Sequence, residues 1–303
     1  MNPPDFIPFG GSEVQCSGID AARIVVLPLC YEKNVSYGAG SGSGPYHILA
    51  ASEQIELLDE ETLIDWGALQ IHTRPPLIPP GTPREASGQM QAEARKVLAA
   101  GKFLLALGGD HAVSIATIAA AAALYPDLGV LQIDAHLDLR DRWNGSRFNH
   151  ACVMRRVCET LRHPPVQVGI RSFSREEADF VRQMNLAPFY AQDIVPWDEG
   201  WIDKVLAALP DRVYLTLDLD GLDPSVVPGT GTPEPGGLSY RQVLALIRRL
   251  GAAKRLVAAD INELAKIEGT QVSEFTAARL ACKIMVHCWT DAPQRLKHSR
   301  KTV

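Results

Sequence analysis

Val130-Leu-Gln-Ile-Asp134-Ala-His136-Leu-Asp138 joins a short apolar run to three potential metal ligands at alternate positions. In an extended chain, residues two apart point the same way, so these three side chains can converge on one point. A second stretch has the same design, because Val213-Tyr-Leu-Thr-Leu217 runs into Asp218-Leu-Asp220. Carboxylates packed together where strands end repel one another unless cations lie between them. The two stretches therefore predict buried strands that end in a metal site.

The composition permits an enzyme and excludes several other classes. A chain of 303 residues with 46% hydrophobic content can bury a large core. The net charge is −5 and the only basic cluster is the short segment 295–301, so we expect no nucleic-acid partner. The longest apolar stretch, Ile115–Tyr125, is too short to cross a membrane, and no secretion signal is recognisable. Cysteines at positions 16, 30, 152, 158, 282 and 288 form no CxxC pair, which favours reduced thiols and a cytoplasmic location.

Short runs rich in Val, Ile and Leu alternate with segments of helical character. The runs predict strands buried on both faces, at Arg23–Leu29, Phe103–Leu107, Leu128–Ile133, Val166–Ile170, Val213–Leu217 and Arg255–Ile261. Helices are predicted at Pro83–Ala100, Ala112–Leu124, Cys152–Leu161, Ser174–Met184, Trp201–Leu209, Ser239–Leu250 and Ser273–Trp289. This alternation favours an α/β fold with a mostly parallel sheet between helices. Because strands lie on both sides of the linker-like segment Pro75–Gly81, we expect one three-layer α-β-α domain over residues 1–303.

Polar side chains follow four of the predicted strands. Ligands of open parallel sheets bind beyond the carboxyl ends of the strands. Besides the two aspartate stretches, Phe103–Leu107 runs into Gly108-Gly-Asp-His111, whose glycines would let the backbone turn tightly and approach a ligand. The last predicted strand reaches Asp260, Asn262 and Glu263. We therefore expect the site to lie at this edge of the sheet.

These motifs together resemble those of the ureohydrolases, the arginase and agmatinase family. The resemblance rests on Gly108-Gly-Asp-His111, Asp134-Ala-His-Leu-Asp138 and Asp218-Leu-Asp-Gly-Leu-Asp-Pro224, in the family's order and over most of the chain. Pro228–Gly237 and Gly169-Ile-Arg-Ser172 look like the agmatinase branch, as does Ser36-Tyr-Gly-Ala-Gly40. An arginase-like fold is what this resemblance implies.

The resemblance also implies a site for two Mn²⁺ ions per chain. The ligands would be His111, Asp134, His136, Asp138, Asp218 and Asp220, with Asp134 and Asp218 bridging the ions. A donor set of carboxylates and imidazoles without thiolate suits Mn²⁺, although Zn, Fe, Ni or Co remain possible. Two such ions would activate a water molecule for attack on a guanidinium carbon.

The same resemblance assigns catalytic roles to three residues. His150 would pass a proton to the leaving amine, and an imidazole pKa near 6.5 suits that task. Glu263 would hold the planar guanidinium through paired hydrogen bonds, and Asp138 would orient the nucleophile. The expected reaction is hydrolysis of agmatine to putrescine and urea by a homo-oligomer, commonly a trimer or hexamer in this family. Asp110 and Asp223 are expected to brace loops.

Substrate identity and function class keep alternatives open. Arginases hold the α-carboxylate of arginine with an Asn at the position of Arg140 and its α-amino group with an Asp that segment 171–174 lacks, so agmatine is favoured. Arg140 could attract the carboxylate of guanidinobutyrate. The favoured interpretation is that Arg140 pairs with Asp141 or Glu176 and faces away. Two other functions stay open: a metal-dependent deacetylase with one zinc, and an inactive binding protein on the same fold.

Overall fold

The structure, a computed structural model, describes residues 6–12, 14, 18–33, 35–195 and 198–289, with only the backbone at 288 and 289. The basic segment 295–301, Cys16 and the Cys288 side chain lie outside the described residues. Cys30, Cys152, Cys158 and Cys282 are free thiols, as expected. No helix in the described ranges combines the length and the apolar character that a membrane crossing needs.

Eight parallel strands form one sheet, which confirms the predicted fold class. They are β1 (Ile24–Leu29), β2 (Ile71–Thr73), β3 (Phe103–Gly108), β4 (Gly129–Ile133), β5 (Val166–Ile170), β6 (Phe189–Tyr190), β7 (Arg212–Asp218) and β8 (Arg255–Asn262). Their order across the sheet is β2-β1-β3-β8-β7-β4-β5-β6, and every pairing is parallel. The four strands whose ends carry the predicted site residues, β3, β8, β7 and β4, are consecutive neighbours at the centre.

Helices cover both faces of the sheet. They are α1 (Gly44–Ser52), α2 (Pro83–Ala99), α3 (Val113–Ala122), α4 (Val153–Thr160), α5 (Arg175–Met184), α6 (Gly200–Ala208), α7 (Tyr240–Ala253) and α8 (Val272–Ile284), the last continued by a π-helix at Met285–Trp289. Side chains of β3 alternate between the two layers: Leu105 packs in one apolar core and Leu104 in the other. Burial on both faces explains why the central strands are continuously apolar.

Three elements were missed by the sequence analysis. Helix α1 begins at Gly44-Pro45, where no helix was predicted; proline at the first helical turn is favourable because its missing N–H needs no partner there. Strands β2 and β6 have three and two residues at opposite edges of the sheet, too few for an alternating pattern to appear. The proline-rich segment Pro75–Gly81 lies between β2 and α2, and the strands on both sides of it belong to the same sheet.

Gly108 and Gly109 lie in close contact with neighbouring protein atoms. A Cβ on Gly109 would lie 2.0 Å from the Tyr31 carbonyl oxygen, and one on Gly108 would lie 2.0 Å from Asn262 Oδ1. The backbone of Gly109 also donates to Leu29 O at 2.9 Å. These glycines therefore permit close packing against the protein itself, and the expectation that they also approach a ligand stays a prediction.

This packing predicts opposite effects for two glycine-to-alanine substitutions. Gly109→Ala should lower the free energy of unfolding by about 1–3 kcal/mol, because the new methyl group meets backbone that cannot move aside. Gly88→Ala, on the exposed face of α2 with nothing within 4 Å of the added Cβ, should raise it by about 0.4–1 kcal/mol. Urea-induced unfolding of both variants measures the difference; a stable Gly109→Ala protein would contradict the packing argument.

Candidate metal centre

The sequence-predicted site residues meet at one cavity beyond the carboxyl ends of the central strands. The cavity measures about 330 Å³, and its lining includes His111, His136, Asp138, His150, Asp218, Asp220 and Glu263. Asp134 is fully buried beside them. Asp218 ends β7, His150 lies in the 3₁₀ turn before α4, and the other six residues come from the segments after β3, β4, β7 and β8. All eight therefore lie where the parallel sheet was expected to gather them.

His111 is the centre of a first cluster of potential ligands. Its Nδ1 lies 3.0 Å from Asp134 Oδ2, 3.0 Å from Asp138 Oδ2 and 3.2 Å from Asp218 Oδ2. Although it is buried, this nitrogen has no hydrogen-bond partner. An unbonded nitrogen surrounded by three carboxylate oxygens is the arrangement expected of ligands around one cation.

A second cluster shares Asp134 with the first. His136 Nδ1 lies 3.0 Å from Asp220 Oδ2 and 3.5 Å from Asp134 Oδ1. The two oxygens of Asp134 thus face different imidazoles, so this carboxylate can bridge two ions. Asp218 directs Oδ2 to the first cluster, while its Oδ1 accepts a hydrogen bond from Asp220 N at 3.0 Å. The geometry therefore allows Asp134 to reach both clusters and places Asp218 Oδ2 in the first, and the expectation that both residues bridge two ions stays a prediction.

The spacing and chemistry of these atoms fit divalent ions. Metal–ligand bonds of about 2.1 Å at right angles place neighbouring donor atoms about 3 Å apart, as found here. Each of the groups His111, Asp134, Asp218 and Asp134, His136, Asp220 could hold one ion. The donors are oxygen and imidazole nitrogen, without a thiolate, which is a set that Mn²⁺ accepts.

The electrostatics of the clusters show a deficit of positive charge. Burial, reinforced by the neighbouring carboxylates, raises the pKa of Asp218 well above its usual range and that of Asp138 to about 7. Burial alone would lower the pKa of His136, yet Asp220 and Asp134 raise it to about 12. Asp138, Asp218 and both imidazoles hold protons more tightly than usual, whereas the two imidazoles lower the pKa of Asp134 against the effect of its burial. Divalent cations would supply the same positive charge.

Two of the proposed catalytic residues have left-handed backbone conformations. Asp138 has φ of 52° and Glu263 has φ of 67°, a region that costs non-glycine residues about 1–2 kcal/mol. Surrounding contacts hold them: Asp138 O accepts from Arg155 N, and Glu263 N donates to Gly109 O at 2.8 Å. Such strain is typical of functional sites, where it points a side chain in a direction that regular structure would not allow.

Glu263 is held in place beside the first cluster by a hydrogen bond to the protein backbone. Its Oε1 accepts a hydrogen bond from His111 N at 2.7 Å, which ties it to the loop that carries the first cluster. Burial, followed by the charge of Asp110, raises its pKa well above the usual range. Each carboxylate oxygen has two lone pairs, so Glu263 can still accept from a ligand.

His150 faces the cavity from a 3₁₀ turn, His150–Cys152, that precedes α4. Its Nε2 lies 2.9 Å from Ser36 Oγ. Burial, with the positive charge of His111 and His136, lowers its pKa to about 4. The imidazole is therefore neutral at neutral pH and can both accept and donate a proton.

Other acidic residues of the motifs are engaged by hydrogen bonds within the protein. Asp110 accepts from Lys33 N at 2.7 Å and from Ala112 N at 3.0 Å. Asp223 accepts from Ser225, Gly236 and Gly237. Asp260, grouped by sequence with the polar ends of the strands, is instead completely buried below that edge.

The position of Arg140 corrects the sequence analysis. Arg140 lines the cavity instead of facing away, and its partner is Glu177, at 3.9 Å, rather than Asp141 or Glu176. Its guanidinium also lies over the Trp143 ring, 4.2 Å from the ring centroid. Glu177 caps the start of α5 by accepting from Ser174 N at 2.8 Å, so it could not be recognised as the partner from sequence alone.

Three buried polar residues near the clusters were missed. Gln132 Nε2 donates to Asp134 Oδ2 at 2.6 Å, Gln167 Nε2 donates to Gln132 Oε1 at 2.6 Å, and Thr216 Oγ1 lies 2.8 Å from His111 Nε2. Each interrupts an otherwise apolar strand. A polar residue two positions before a predicted ligand was the signal that could have identified Gln132 and Thr216.

Comparisons with known proteins agree with this geometry. Residues 22–288 match the Arginase family. The N(1)-aminopropylagmatine ureohydrolase of Synechocystis sp. is 40% identical over 292 residues, which make up 94% of each protein. The agmatinase of Bacillus anthracis is 32% identical over 259 residues, 82% of this chain and 85% of that protein. The solved structure of the agmatine ureohydrolase of Thermoplasma volcanium covers 96% of both chains with a TM-score of 0.83 at 27% identity.

The family match covers most of the chain and includes every residue of the two clusters. The relatives share the length of this chain as well as its fold. The chain therefore belongs to the arginase family and is an agmatinase-like ureohydrolase, a hydrolase that acts on guanidino compounds.

Proposed function

We propose that this protein uses two Mn²⁺ ions to hydrolyse the guanidino group of a guanidinoalkylamine, giving urea and an amine. This proposal rests on the two clusters, which share Asp134 and lie beside Glu263 in one cavity. N(1)-aminopropylagmatine is the first candidate substrate, because the relative with 40% identity bears that name. Agmatine, expected from the sequence, is the second, and relatives named agmatinase support it.

The ligands would be His111, Asp134, His136, Asp138, Asp218 and Asp220. When bound, two divalent ions supply Lewis acidity that lowers the pKa of a water molecule toward neutrality and provides the nucleophile. Asp138, whose left-handed backbone directs its side chain into the site, would hold the nucleophile in position by accepting a hydrogen bond. Shared use of Asp134 favours two ions over the single zinc of a deacetylase.

Glu263 binds the guanidinium. A carboxylate matches the planar fork of N–H groups with two parallel hydrogen bonds, and this fixes the reacting carbon above the floor of the cavity. The attachment of Glu263 Oε1 to His111 N sets the distance between the bound substrate and the first cluster.

His150 moves a proton to the leaving amine. Attack of water on the guanidinium carbon is followed by cleavage of a C–N bond, and the departing nitrogen needs a proton. Because its pKa is lowered to about 4, His150 starts neutral, takes a proton released by the attacking water and passes it on. Ser36 Oγ, 2.9 Å from Nε2, holds the ring in position.

The outer wall favours a substrate that has no carboxylate. Arg140 is the only lysine or arginine among the residues that line the described cavity, and Glu177 pairs with it. Phe173 and Tyr37 are 45% and 86% exposed at the same wall. Aromatic faces pack against methylene chains and attract ammonium groups. A guanidinoalkylamine presents both.

A urea-release assay with the Mn²⁺-loaded protein tests this function. We expect kcat/KM to be highest for N(1)-aminopropylagmatine, lower for agmatine and lowest for guanidinobutyrate and arginine. The physical reason is the aromatic wall and the paired state of Arg140. Failure to release urea from every guanidino compound would end the proposal.

Glu263→Gln separates substrate binding from metal binding. It keeps the shape of the side chain and removes the charge that grips the guanidinium. Urea release should fall by about 10²-fold or more, the loss expected when a reacting group is misplaced, while the Mn²⁺ content stays at two ions per chain. Loss of metal together with activity would instead assign Glu263 to the metal centre.

Arg140→Met tests the role of the wall. Methionine retains the apolar stem beside Trp143 and removes the charge. If Arg140 is held by Glu177, the order of substrates should not change. If Arg140 instead binds carboxylates, wild-type protein would prefer guanidinobutyrate and the variant would lose that preference; kcat/KM for agmatine and guanidinobutyrate distinguishes the two outcomes.

Metal binding should release protons. The metal-free imidazoles are protonated at neutral pH because their pKa values are raised, to about 12 for His136, and a metal ligand must be deprotonated. Mn²⁺ affinity should therefore increase as pH rises from about 6 to about 9. Calorimetric titrations in two buffers of different ionisation enthalpy measure the number of protons released. Binding without proton release would place Mn²⁺ elsewhere.

A further inference from the structure

A row of polar side chains crosses the sheet directly below the two clusters. Gln167, Gln132, Thr216 and Asp260 are register partners on the adjacent strands β5, β4, β7 and β8. We call these four residues the buried polar row, since none is more than 1% exposed. Gln132 and Thr216 lie two positions before Asp134 and Asp218, so the row shares a face of the sheet with those two residues.

One end of the row is anchored by the Asp260 carboxylate. It accepts hydrogen bonds from Ser114 Oγ at 2.9 Å, Tyr214 OH at 2.6 Å, Thr117 Oγ1 at 3.2 Å and Asn262 Nδ2 at 2.8 Å. A carboxylate only accepts, so Ser114 and Tyr214 donate their hydroxyl protons to it, whereas Thr117 Oγ1 also lies within hydrogen-bond distance of Val113 O and Ser114 O. Asp260 therefore sets the direction of every hydrogen bond that continues from Ser114.

That direction is transmitted to His111. Ser114 Oγ lies 3.2 Å from Thr216 Oγ1 and, having donated to Asp260, accepts the proton of Thr216. Thr216 Oγ1 then accepts from His111 Nε2 at 2.8 Å and from Asn262 Nδ2 at 3.5 Å. The proton of the neutral imidazole is consequently on Nε2, and the lone pair of Nδ1 faces the three carboxylate oxygens of the first cluster.

The other end of the row orients Asp134. Gln167 Nε2 donates to Gln132 Oε1 at 2.6 Å and to Leu137 O at 2.7 Å. Because the amide oxygen of Gln132 is used in this way, its NH₂ group faces Asp134 and donates to Oδ2 at 2.6 Å. Asp134 Oδ1 accepts from His136 N at 2.6 Å, which fixes the second oxygen.

We propose that the buried polar row is the positioning layer of the metal centre: it selects the Nδ1-ligating tautomer of His111 and locks the rotamer of Asp134. This inference rests on the proposed metal site. Hydrogen bonds behind a ligand commonly contribute about 10- to 100-fold to metal affinity. The row's residues touch neither substrate nor metal and act through His111 and Asp134.

Two matched variants test the proposal. Thr216→Val and Thr117→Val each replace a fully buried hydroxyl by a methyl group, and both threonines lie beside Asp260, but only Thr216 contacts His111. In calorimetric titrations of the metal-free proteins, Thr216→Val should raise the Kd for Mn²⁺ by about 10- to 100-fold. Thr117→Val should leave that Kd at the wild-type value, although both should lower Tm.

Thr216→Ser retains the hydroxyl and should restore wild-type affinity. Equal weakening by the two valine variants, or a serine variant as weak as the valine variant, would show that only packing is affected and would overturn the inference. Unchanged affinity in Thr216→Val would overturn it as well. Wild-type protein that binds no Mn²⁺ would instead refute the proposed metal site on which the inference rests.

Discussion

The burial of four aspartates around two histidines is the constraint on which the site depends. Within the described part of the chain, the ion-pair partners of Asp134, Asp138, Asp218 and Asp220 are His111 and His136, and no lysine or arginine joins them. Isolated buried charge costs several kcal/mol, so the folded chain requires cations or protons at this point. The raised pKa values of Asp138 and Asp218 are the response of the metal-free protein. Ligand binding and folding are coupled here through the same charges.

The floor of the site, which is formed by the side chains at the ends of the central strands, could be predicted from sequence because the sheet register fixes their positions. Asp134 and Asp218 directly follow or end strands β4 and β7, whose residues Ile133 and Leu217 are register partners. An apolar run of five residues identifies such a strand, and alternation identifies the face of the residues after it. The sequence position of such a residue then determines the strand end and the face of the sheet at which its side chain lies. The predictions for His111 and Glu263 followed the same logic for β3 and β8.

The wall of the site could not be predicted because loops and distant capping residues form it. Arg140 lies beyond the register of β4, and its partner Glu177 is positioned by the capping box of α5. Only the folded chain brings these segments together. Asp260 shows the complementary limit: its place in an apolar strand is evident from sequence, but the four donors that satisfy it come from α3, β7 and β8.

This division separates the parts of the site that can change from those that cannot. A floor residue is coupled to its neighbours on both adjacent strands, so that altering Thr216 disturbs His111, Ser114 and Asn262 together. A wall residue such as Tyr37 is mostly exposed and constrains little besides the ligand. Substrate preference can therefore vary through the wall while the chemistry of the floor is preserved. Relatives with different named substrates, all sharing this fold, are the expected consequence.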